Sequence, residues 1–267
     1  VTGTVLKTAI KCGIKTALHE SNSLPGVSVK MLASKADLVM LGTEDAKKHL
    51  GECKKCVVTG NPLRNNIPIE EKSAARKRLG LPDCLTILSA GGSQGASRLN
   101  EAVVQLLAYE QKKGNINHIH GYGKHGRDTF MQSLEDNGVD AGNPHFIIKE
   151  YIDNMYTCMC ASDLIITRAG AMTLTEITAI GRASVLIPYP YAAENHQYYN
   201  ALTLQNANAG RIIDDKELTG SVLIDTVNRL ADDPELLRLM SENAAKLSKR
   251  DAAGKILREI TELMGIK

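Results

Sequence analysis

The sequence has few aromatic side chains and no tryptophan. Phe, Trp and Tyr together make up 4% of its 267 residues, so surfaces on which bases or sugar rings stack are scarce. An excess of one charge is also missing, since 32 Lys and Arg residues face 30 Asp and Glu residues. Proteins that bind nucleic acids concentrate positive charge in a patch or a stripe. The composition therefore argues against a nucleic-acid partner.

Long apolar segments are missing too. No run approaches the roughly 20 apolar residues that a membrane-spanning helix needs, and the chain does not open with the basic and then apolar residues of a signal peptide. A hydrophobic share of 43% and a charged share of 23% are typical of a soluble globular protein. From these features we expect a cytoplasmic protein, which still allows attachment to a membrane surface.

The six cysteines give only a weak metal-binding pattern. Cys53 and Cys56 have the spacing of a zinc knuckle, and Cys158 with Cys160 is the pair available to complete it. A structural zinc ion needs four converging ligands, whereas Cys158 and Cys160 lie in a helix-like stretch just before an apolar run. We therefore expect reduced thiols and no metal.

Short apolar runs alternate with longer segments of helical period along most of the chain. The apolar runs predict strands at 15–18, 37–41, 56–58, 85–90, 117–120, 146–149, 164–167, 184–187 and 211–213. The segments between them predict helices at 4–11, 71–79, 97–111, 127–137, 172–180 and 196–207, and only helical pattern follows residue 216, ending at 251–264. Strands that are apolar throughout are typical of parallel sheets, so the alternation predicts an α/β doubly wound fold.

A break in both periods falls at residues 61–68 (NPLRNNIP), which we interpret as an interdomain linker. We predict a first Rossmann-like domain with its linker at 1–62, a second Rossmann-like domain at 63–250, and a C-terminal helix at 251–267 that packs back on the first. The three strands ahead of the break are few for an open α/β domain. We therefore expect the first domain to be incomplete.

Two glycine-rich runs each follow a predicted strand. The run 91–96 (GGSQGA) opens a predicted helix, so its backbone N–H groups and the Ser93 hydroxyl suit a phosphate, with an unoccupied tight turn as the alternative. It lacks the Lys-Ser/Thr of a triphosphate-binding loop. The run 121–126 (GYGKHG) matches the dinucleotide pattern, but it lies midway through its domain with Glu150 as the following acidic residue. For this run we expect a solvent-facing loop.

Three further polar segments follow predicted strands. In 167–176 (TRAGAMTLTE), Arg168 suits a phosphate and Glu176 a ribose diol, unless the two side chains pair with each other. In 188–197 (PYPYAAENHQ), Asn195 and the next two residues suit sugar hydroxyls, with a helix cap by Asn195 as the alternative. The segment 19–26 (HESNSLPG) is not a zinc-peptidase motif, and it is expected to face the same cleft from the first domain.

Together these segments resemble the MurG family, the peripheral membrane glycosyltransferases of bacterial peptidoglycan synthesis. The matching segments are 19–26, 60–64 (GNPLR), 91–100, 168–176, 187–190 and 196–201, and they occur in the family's order over nearly the whole chain. The resemblance implies a GT-B fold, in which two Rossmann-like domains face a cleft and the C-terminal one holds UDP-GlcNAc.

The resemblance also implies a reaction and its location. The expected activity is an inverting, metal-independent transfer of GlcNAc, without a cofactor, to the C4 hydroxyl of MurNAc in undecaprenyl-diphospho-MurNAc-pentapeptide (lipid I), giving lipid II. Such an enzyme acts in cell-wall biogenesis, cell shape and cell division. It binds as a peripheral protein to the cytoplasmic face of the bacterial plasma membrane.

The residues that match the family motifs take the family's roles as expectations. Asn22 and Arg64 line the cleft around the donor, Ser93 holds phosphate, and the backbone of Ile152 receives uracil. The remaining expected substrate contacts are Arg168, Gly170, Ala171, Met172, Thr173, Leu174, Thr175, Glu176 for the ribose, His196, and Gln197 for the GlcNAc hydroxyls. His196 and Ser21 depart from the family, which has Gln at both positions.

A glycine-rich turn with a His on the acceptor side, which the family carries before the first matching segment, is absent from this sequence. We therefore expect the donor site to be present and the catalytic base to be absent, with neither His19 nor His49 in its place. Two helix N-termini and Arg168 would stabilise the departing diphosphate. The alternatives are an inactive UDP-sugar-binding module and a nicotinamide-dependent oxidoreductase that uses 121–126.

Overall fold

The computed structural model describes residues 2–64, 67 and 69–266, and it contains two parallel β-sheets. The first sheet has the order β1-β2-β3 and is formed by β1 (Ala17–Glu20), β2 (Leu38–Leu41) and β3 (Cys56–Val58). Two helices, α1 (Thr2–Lys11) and α2 (Val27–Leu32), and a 3-10 helix at Asp45–His49 accompany it. Helix α2 was not predicted from the sequence, because it has only six residues and two of them are β-branched valines. Leu32 is its buried residue.

The second sheet has six parallel strands in the order β6-β5-β4-β7-β8-β9. They are β4 (Leu85–Ala90), β5 (Ile116–Gly121), β6 (Phe146–Lys149), β7 (Leu164–Thr167), β8 (Ala183–Leu186) and β9 (Gly210–Ile212). The order runs outward from β4 in one direction and from β7 in the other, which is the doubly wound Rossmann arrangement. The predicted α/β class with parallel sheets is confirmed.

The helices of this part pack on both faces of the second sheet. They are α3 (Lys72–Leu79), α4 (Ser97–Lys113), α5 (Phe130–Asp136), α6 (Met155–Ala161), α7 (Ala171–Ile180), α8 (His196–Asn206), α9 (Gly220–Ala231) and α10 (Pro234–Lys246), and the last helix, α11 (Ala252–Met264), follows them in the chain. Short 3-10 helices lie at Lys124–Gly126, Ala193–Asn195 and Asp215–Glu217. The helix predicted at 127–137 begins at Phe130, because a 3-10 turn and a bend occupy the preceding residues.

Each sheet has its own hydrophobic core. One face of the second sheet buries Leu99, Val103 and Leu106 of α4 against α9, as their helical spacing predicts. The opposite face buries α6, α7 and α8, and a separate cluster lies on the first sheet. Separate cores are compatible with the domain limits predicted from the sequence, which stay a prediction.

The last helix contacts the first sheet, although the second sheet precedes it in the chain. Lys255 of α11 donates to the carbonyl of Val58 at 2.7 Å, and Lys15 donates to the carbonyl of Leu263 at 2.5 Å. Lys55 forms an ion pair with Glu259 at 2.8 Å. Helix α11 thereby connects the two halves. Among the described residues, no helix is long and apolar enough to cross a membrane.

A buried ion pair connects α3 to the amino end of β7. Arg76 lies 2.5 Å from Asp163 and 2.6 Å from Asp83, and the side chains of Arg76, Asp163 and Asp83 are 10%, 16% and 74% exposed. Because loss of one partner leaves a buried charge uncompensated, Asp163→Ala should lower the free energy of unfolding by about 3–5 kcal/mol. Asp83→Ala, which removes an exposed partner of the same guanidinium, should cost less than about 1 kcal/mol.

Urea unfolding of the two variants and the unsubstituted chain measures both costs. Equal losses of stability in the two variants would contradict this assignment.

Candidate functional site

Three strand-to-helix turns of the second sheet open on the same edge. They connect β4 to α4, β7 to α7 and β8 to α8, and all three lie at the carboxyl ends of parallel strands. The strand order reverses between β4 and β7, and ligands of open α/β sheets bind at this switch point. The turns predicted from the sequence to carry the chemistry are therefore neighbours in space.

The two glycine-rich runs are in contact with each other. The backbone N–H of His125 donates to the carbonyl of Gln94 at 2.8 Å, and the side chain of Asn100 donates to the carbonyl of Tyr122 at 2.9 Å. A Cβ at Gly123, where φ is +69°, would collide with the backbone N of Gly95. The run 121–126 therefore fixes the run 91–96 through backbone contacts that only glycine permits.

The prediction of a solvent-facing loop for 121–126 is wrong for its glycines. Gly121, Gly123 and Gly126 are buried, whereas Lys124 and His125 are exposed. The acidic residue that a dinucleotide site would use is Glu150, and its carboxylate accepts two hydrogen bonds from Arg127 at 2.7 and 2.8 Å. The contacts between the two glycine runs account for the glycines of 121–126, so this pattern does not require a bound dinucleotide.

A cavity of about 350 Å³ lies at the switch point, and we call it the switch-point cavity. Four of the residues expected to bind the donor line it: Arg64, Ser93, Ile152 and Glu176. Arg64 and Ser93 are exposed, and Ile152 is buried against Gly121. Arg64 and Glu176 are 112 positions apart in the sequence, and the structure brings them together in the lining of one cavity.

Glu176 pairs with a side chain that the sequence analysis missed. The hydroxyl of Tyr156, on α6, donates to Oε1 of Glu176 at 2.8 Å. Burial and this hydrogen bond raise the pKa of Tyr156 to about 12. Because α6 and α7 are separated by β7 and the two residues are twenty positions apart, the sequence gives no periodic signal that the two side chains meet.

A larger cavity of about 390 Å³ lies between the two sheets, and we call it the inter-sheet cavity. Most of the polar side chains named here are bonded to one another: Ser23 to Thr203 at 3.0 Å, Thr203 to Asp45 at 2.8 Å, and Nδ2 of Asn61 to Thr175 at 3.0 Å, whereas Oδ1 of Asn61 has no partner among the described residues. Polar groups that already have partners offer a ligand little. The switch-point cavity is therefore the better candidate site, although it is smaller.

Comparison with known proteins identifies the family of the chain. The family model described as the glycosyltransferase family 28 C-terminal domain matches residues 86–256. Two curated relatives carry the name UDP-N-acetylglucosamine–N-acetylmuramyl-(pentapeptide) pyrophosphoryl-undecaprenol N-acetylglucosamine transferase. The one from Desulforamulus reducens is 36% identical over 99% of this chain and 72% of its own length, and the one from Desulfitobacterium hafniense is 39% identical over 97% and 70%.

This chain belongs to the MurG family. Among solved structures, that of Acinetobacter baumannii MurG superposes with a TM-score of 0.79 at 26% identity, over 98% of this chain and 70% of that one. The two parallel sheets are therefore those of a GT-B fold, as predicted. The prediction that the chain is a glycosyltransferase is likewise confirmed.

The MurG resemblance placed six consecutive residues, Gly170 to Thr175, around the donor. They form the N-terminus of α7, where Gly170 is the N-cap and no side chain caps the helix. Their side chains do not share one surface: Met172 is exposed, Leu174 is buried in the core, and Ala171, Leu174 and Thr175 line the inter-sheet cavity. Contacts from 170–175, Thr173 included, stay a prediction.

Arg168 is held by partners of its own. Its Nη1 lies 2.5 Å from Asp215 and donates to the carbonyls of Ile187 and Pro188 at 3.2 and 3.3 Å. Its guanidinium also lies 5.7 Å from the ring centroid of Tyr189. The alternative that Arg168 pairs with Glu176 is therefore wrong. The expected contact of Arg168 with phosphate stays a prediction. The positive charge that this contact would use is already compensated by Asp215.

The turn before α8 has an unusual backbone. Glu194 and Asn195 adopt positive φ angles of 50° and 56°, and no side-chain cap hydrogen bond forms at Asn195. The capping alternative for Asn195 is therefore wrong. Gln197 accepts a hydrogen bond from the backbone N–H of Tyr189 at 3.0 Å, and Nδ1 of His196 lies 2.9 Å from the carbonyl of Ala193. Their contacts with a sugar stay a prediction.

Asn22 joins the first sheet to the start of α8. Its Nδ2 donates to Glu20 at 3.1 Å, and its Oδ1 accepts from Asn200 at 3.0 Å. Asn200 also accepts from the backbone N–H of Ser23 at 2.8 Å. The segment 19–26 is thus placed against the second sheet, and the predicted donor contact of Asn22 stays a prediction. The sequence analysis did not identify Asn200 as a residue that connects the two sheets, although it lies in the segment 196–201 that matches the MurG family.

The two cysteine pairs lie on different cores. Cys53 and Cys56 pack beside the first sheet, whereas Cys158 and Cys160 are buried in α6 beneath the second. Within the described ranges, no group of three or more His, Cys, Asp or Glu side chains is arranged to hold a metal ion.

The raised pKa of Tyr156 predicts a specific loss of stability in alkali. The unfolded chain releases this proton near the ordinary tyrosine pKa of about 10, whereas the folded chain retains it to about pH 12. Between these values the folded state binds more protons, so its stability falls as the pH rises from about 10 to about 12. Below about pH 10 the full stabilisation is present.

Urea unfolding below and above about pH 10 measures this dependence for the unsubstituted chain and for Tyr156→Phe. We expect a smaller alkaline loss in Tyr156→Phe. Tyr191→Phe, at a residue that is 83% exposed, is the control and should behave like the unsubstituted chain. Identical pH dependence in all three proteins would contradict the assigned pKa.

Proposed function

We propose that this chain transfers GlcNAc from UDP-GlcNAc to the C4 hydroxyl of MurNAc in lipid I, with inversion and without a metal, to make lipid II. The observation that supports this most is the convergence of Arg64, Ser93, Ile152 and Glu176 on the switch-point cavity. The names of both curated relatives describe this transfer. The alternative of an inactive UDP-sugar-binding module is less favoured, because these relatives are named as transferases.

The nucleoside end of the donor fits the wall formed by α6 and α7. We assign the uracil to the backbone of Ile152, which follows β6 and lies beside Gly121. Glu176 receives the ribose hydroxyls, because a carboxylate can accept from both members of a diol. Tyr156 occupies one oxygen of Glu176 and fixes the orientation of the carboxylate.

The diphosphate end fits the helix N-termini. The glycine run 91–96 leads into α4, and the segment 168–170 leads into α7. Uncapped N–H groups and the positive ends of two helix dipoles favour an anion there. Donors that are already in place stabilise the charge that develops as the UDP departs. Arg64, exposed at the cavity, adds a positive charge.

The acceptor hydroxyl must lose a proton, and neither His19 nor His49 lines the switch-point cavity. Nε2 of His19 lies 3.0 Å from the carbonyl of Gly60, and the ring of His49 packs edge-on against Tyr199 with centroids 5.8 Å apart. We therefore assign the base to neither. Because lipid I is embedded in the bilayer, we place the reaction at the cytoplasmic face of the plasma membrane.

Calorimetric titration without added metal tests the donor site. We expect UDP-GlcNAc and UDP to bind, and GDP and NADH to bind far more weakly. Glu176→Ala should weaken binding of UDP about tenfold or more, because hydrogen bonds to a charged group are lost. The matched control is Glu101→Ala, at an exposed glutamate of α4 outside the cavity, which should bind UDP like the unsubstituted chain.

Preferential binding of GDP or NADH would refute the proposed donor. Transfer of GlcNAc to lipid I in the presence of a chelator tests the reaction itself. Turnover by this chain at rates usual for an enzyme would support the proposed reaction and would contradict the expectation, drawn from the sequence, that the catalytic base is absent.

A further inference from the structure

Four polar side chains form a continuous chain inside the second sheet, directly below the two glycine runs. Nδ1 of His118 lies 2.6 Å from Oε2 of Glu110, and the Ser89 hydroxyl lies 2.7 Å from both Nε2 of His118 and Nδ1 of His120. Glu110 is 1% exposed and the other three are fully buried. We call Glu110, His118, Ser89 and His120 the buried polar chain.

The proton positions in the buried polar chain follow from the number of donors. If Glu110 is ionised, it accepts from Nδ1 of His118, Nε2 of His118 accepts from Ser89, and Ser89 accepts from Nδ1 of His120. Nε2 of His120 then carries only a lone pair. If every bond is reversed, Nε2 carries a hydrogen instead, and the described residues provide it with no hydrogen-bond partner.

Oε1 of Glu110 and Nε2 of His120 lie at the two ends of the buried polar chain, and neither atom has a hydrogen-bond partner among the described residues. Burial lowers the pKa of His120 and keeps its ring neutral.

The order carboxylate, imidazole, hydroxyl is that of a hydrolase triad. Here the serine lies in the middle of a sheet with no exposed surface, so no substrate reaches its oxygen. The arrangement carries no hydrolytic chemistry. Its function must lie in what it holds in place.

The buried polar chain ends where the glycine runs begin. Ser89 and His120 are directly opposed in the β4–β5 register, one residue before Ala90 and Gly121 at the ends of these strands. Ala90 and Gly121 both line the switch-point cavity. Glu110 extends the connection to α4, the helix that follows the run 91–96.

A second connection leads through aromatic rings. The ring of His120 stacks on Phe130 with centroids 4.7 Å apart, and Phe130 stacks on Tyr122 at 5.1 Å. Tyr122 belongs to the run 121–126, and its carbonyl accepts the hydrogen bond from Asn100. Both glycine runs are thus attached to the same buried residues.

We propose that Ser89, together with His118 and His120, is a positioning residue for the diphosphate of the donor: its hydroxyl fixes the ends of β4 and β5, and hence the glycine runs that receive the phosphates. This inference rests on the proposed function, since it assumes that a nucleoside diphosphate binds in the switch-point cavity. No member of the buried polar chain touches the ligand.

The test compares two buried hydroxyls on the same strand. Ser89→Ala removes the hydroxyl next to the glycine runs. Thr86→Val removes one at the other end of β4, where Thr86 is fully buried, donates to the carbonyl of Cys84 and accepts from Asn117, both at 3.0 Å. Both variants lose a buried hydroxyl, so their thermal midpoints should fall by similar amounts. Only Ser89→Ala should affect the phosphates.

Calorimetry with UDP and with uridine separates positioning from general destabilisation. We expect Ser89→Ala to weaken UDP binding about tenfold, the factor that corresponds to about one hydrogen bond, and to leave uridine binding unchanged. Thr86→Val should bind both ligands like the unsubstituted chain. Unchanged UDP binding in Ser89→Ala, or an equal loss in Thr86→Val, would overturn the inference.

A second measurement on the unsubstituted chain serves if Ser89→Ala does not fold. Nitrogen NMR of ¹⁵N-histidine should show the His120 ring as neutral, and saturating UDP should shift the His120 signals. His145, whose Nδ1 lies 2.9 Å from Asn117 at the amino ends of the strands, is the internal control and should not shift. Unshifted His120 signals with UDP bound would overturn the inference. Failure of the unsubstituted chain to bind UDP would instead refute the proposed function.

Discussion

The close approach of two glycine backbones is the contact on which the candidate site depends. Gly95 and Gly123 belong to turns at the ends of neighbouring strands, and each turn occupies the space that a side chain on the other would need. A site that binds phosphate with backbone N–H groups works only if those groups are held in fixed positions. Here the fixing element is the second glycine run, which is not itself a dinucleotide site.

The charged side chains around the site are largely paired with each other. Arg168 is bound by Asp215, and Glu150 is bound by Arg127. Such pairing leaves helix N-termini and the exposed Arg64 as sources of positive potential for a diphosphate. The contacts of Asn22 and Asn61 with α8 and α7 place the first sheet beside this edge, so that an acceptor entering between the sheets would approach the same turns.

Much of the fold follows from local patterns in the sequence. The apolar runs at Leu85–Ala90 and Leu164–Thr167 coincide with strands, because strands buried on both faces are largely apolar. The glycine run after β4 was recognisable as a tight turn between a strand and a helix for a similar reason, since the glycine pattern and the strand end are both local features.

Contacts between elements that are distant in sequence were not predictable in this way. The pairing of Arg168 with Asp215 and of Tyr156 with Glu176 depends on which strands become neighbours, and a single sequence does not specify that order. The meeting of the two glycine runs depends on β4 and β5 being adjacent. The same adjacency creates the buried polar chain, whose members look like ordinary strand and helix residues in the sequence.

The affinity of Gly123→Ala for UDP-GlcNAc, compared with that of Gly114→Ala, tests the central claim most directly. The two glycines have nearly equal φ angles of +69° and +68°, but a Cβ at Gly114 meets no atom within 4 Å. Because ψ is 173° at Gly123 and 13° at Gly114, Gly123→Ala carries the larger backbone strain, and only Gly123→Ala displaces the run 91–96. The account predicts that Gly123→Ala loses UDP-GlcNAc binding while Gly114→Ala retains it. Equal affinities in two folded variants would contradict it.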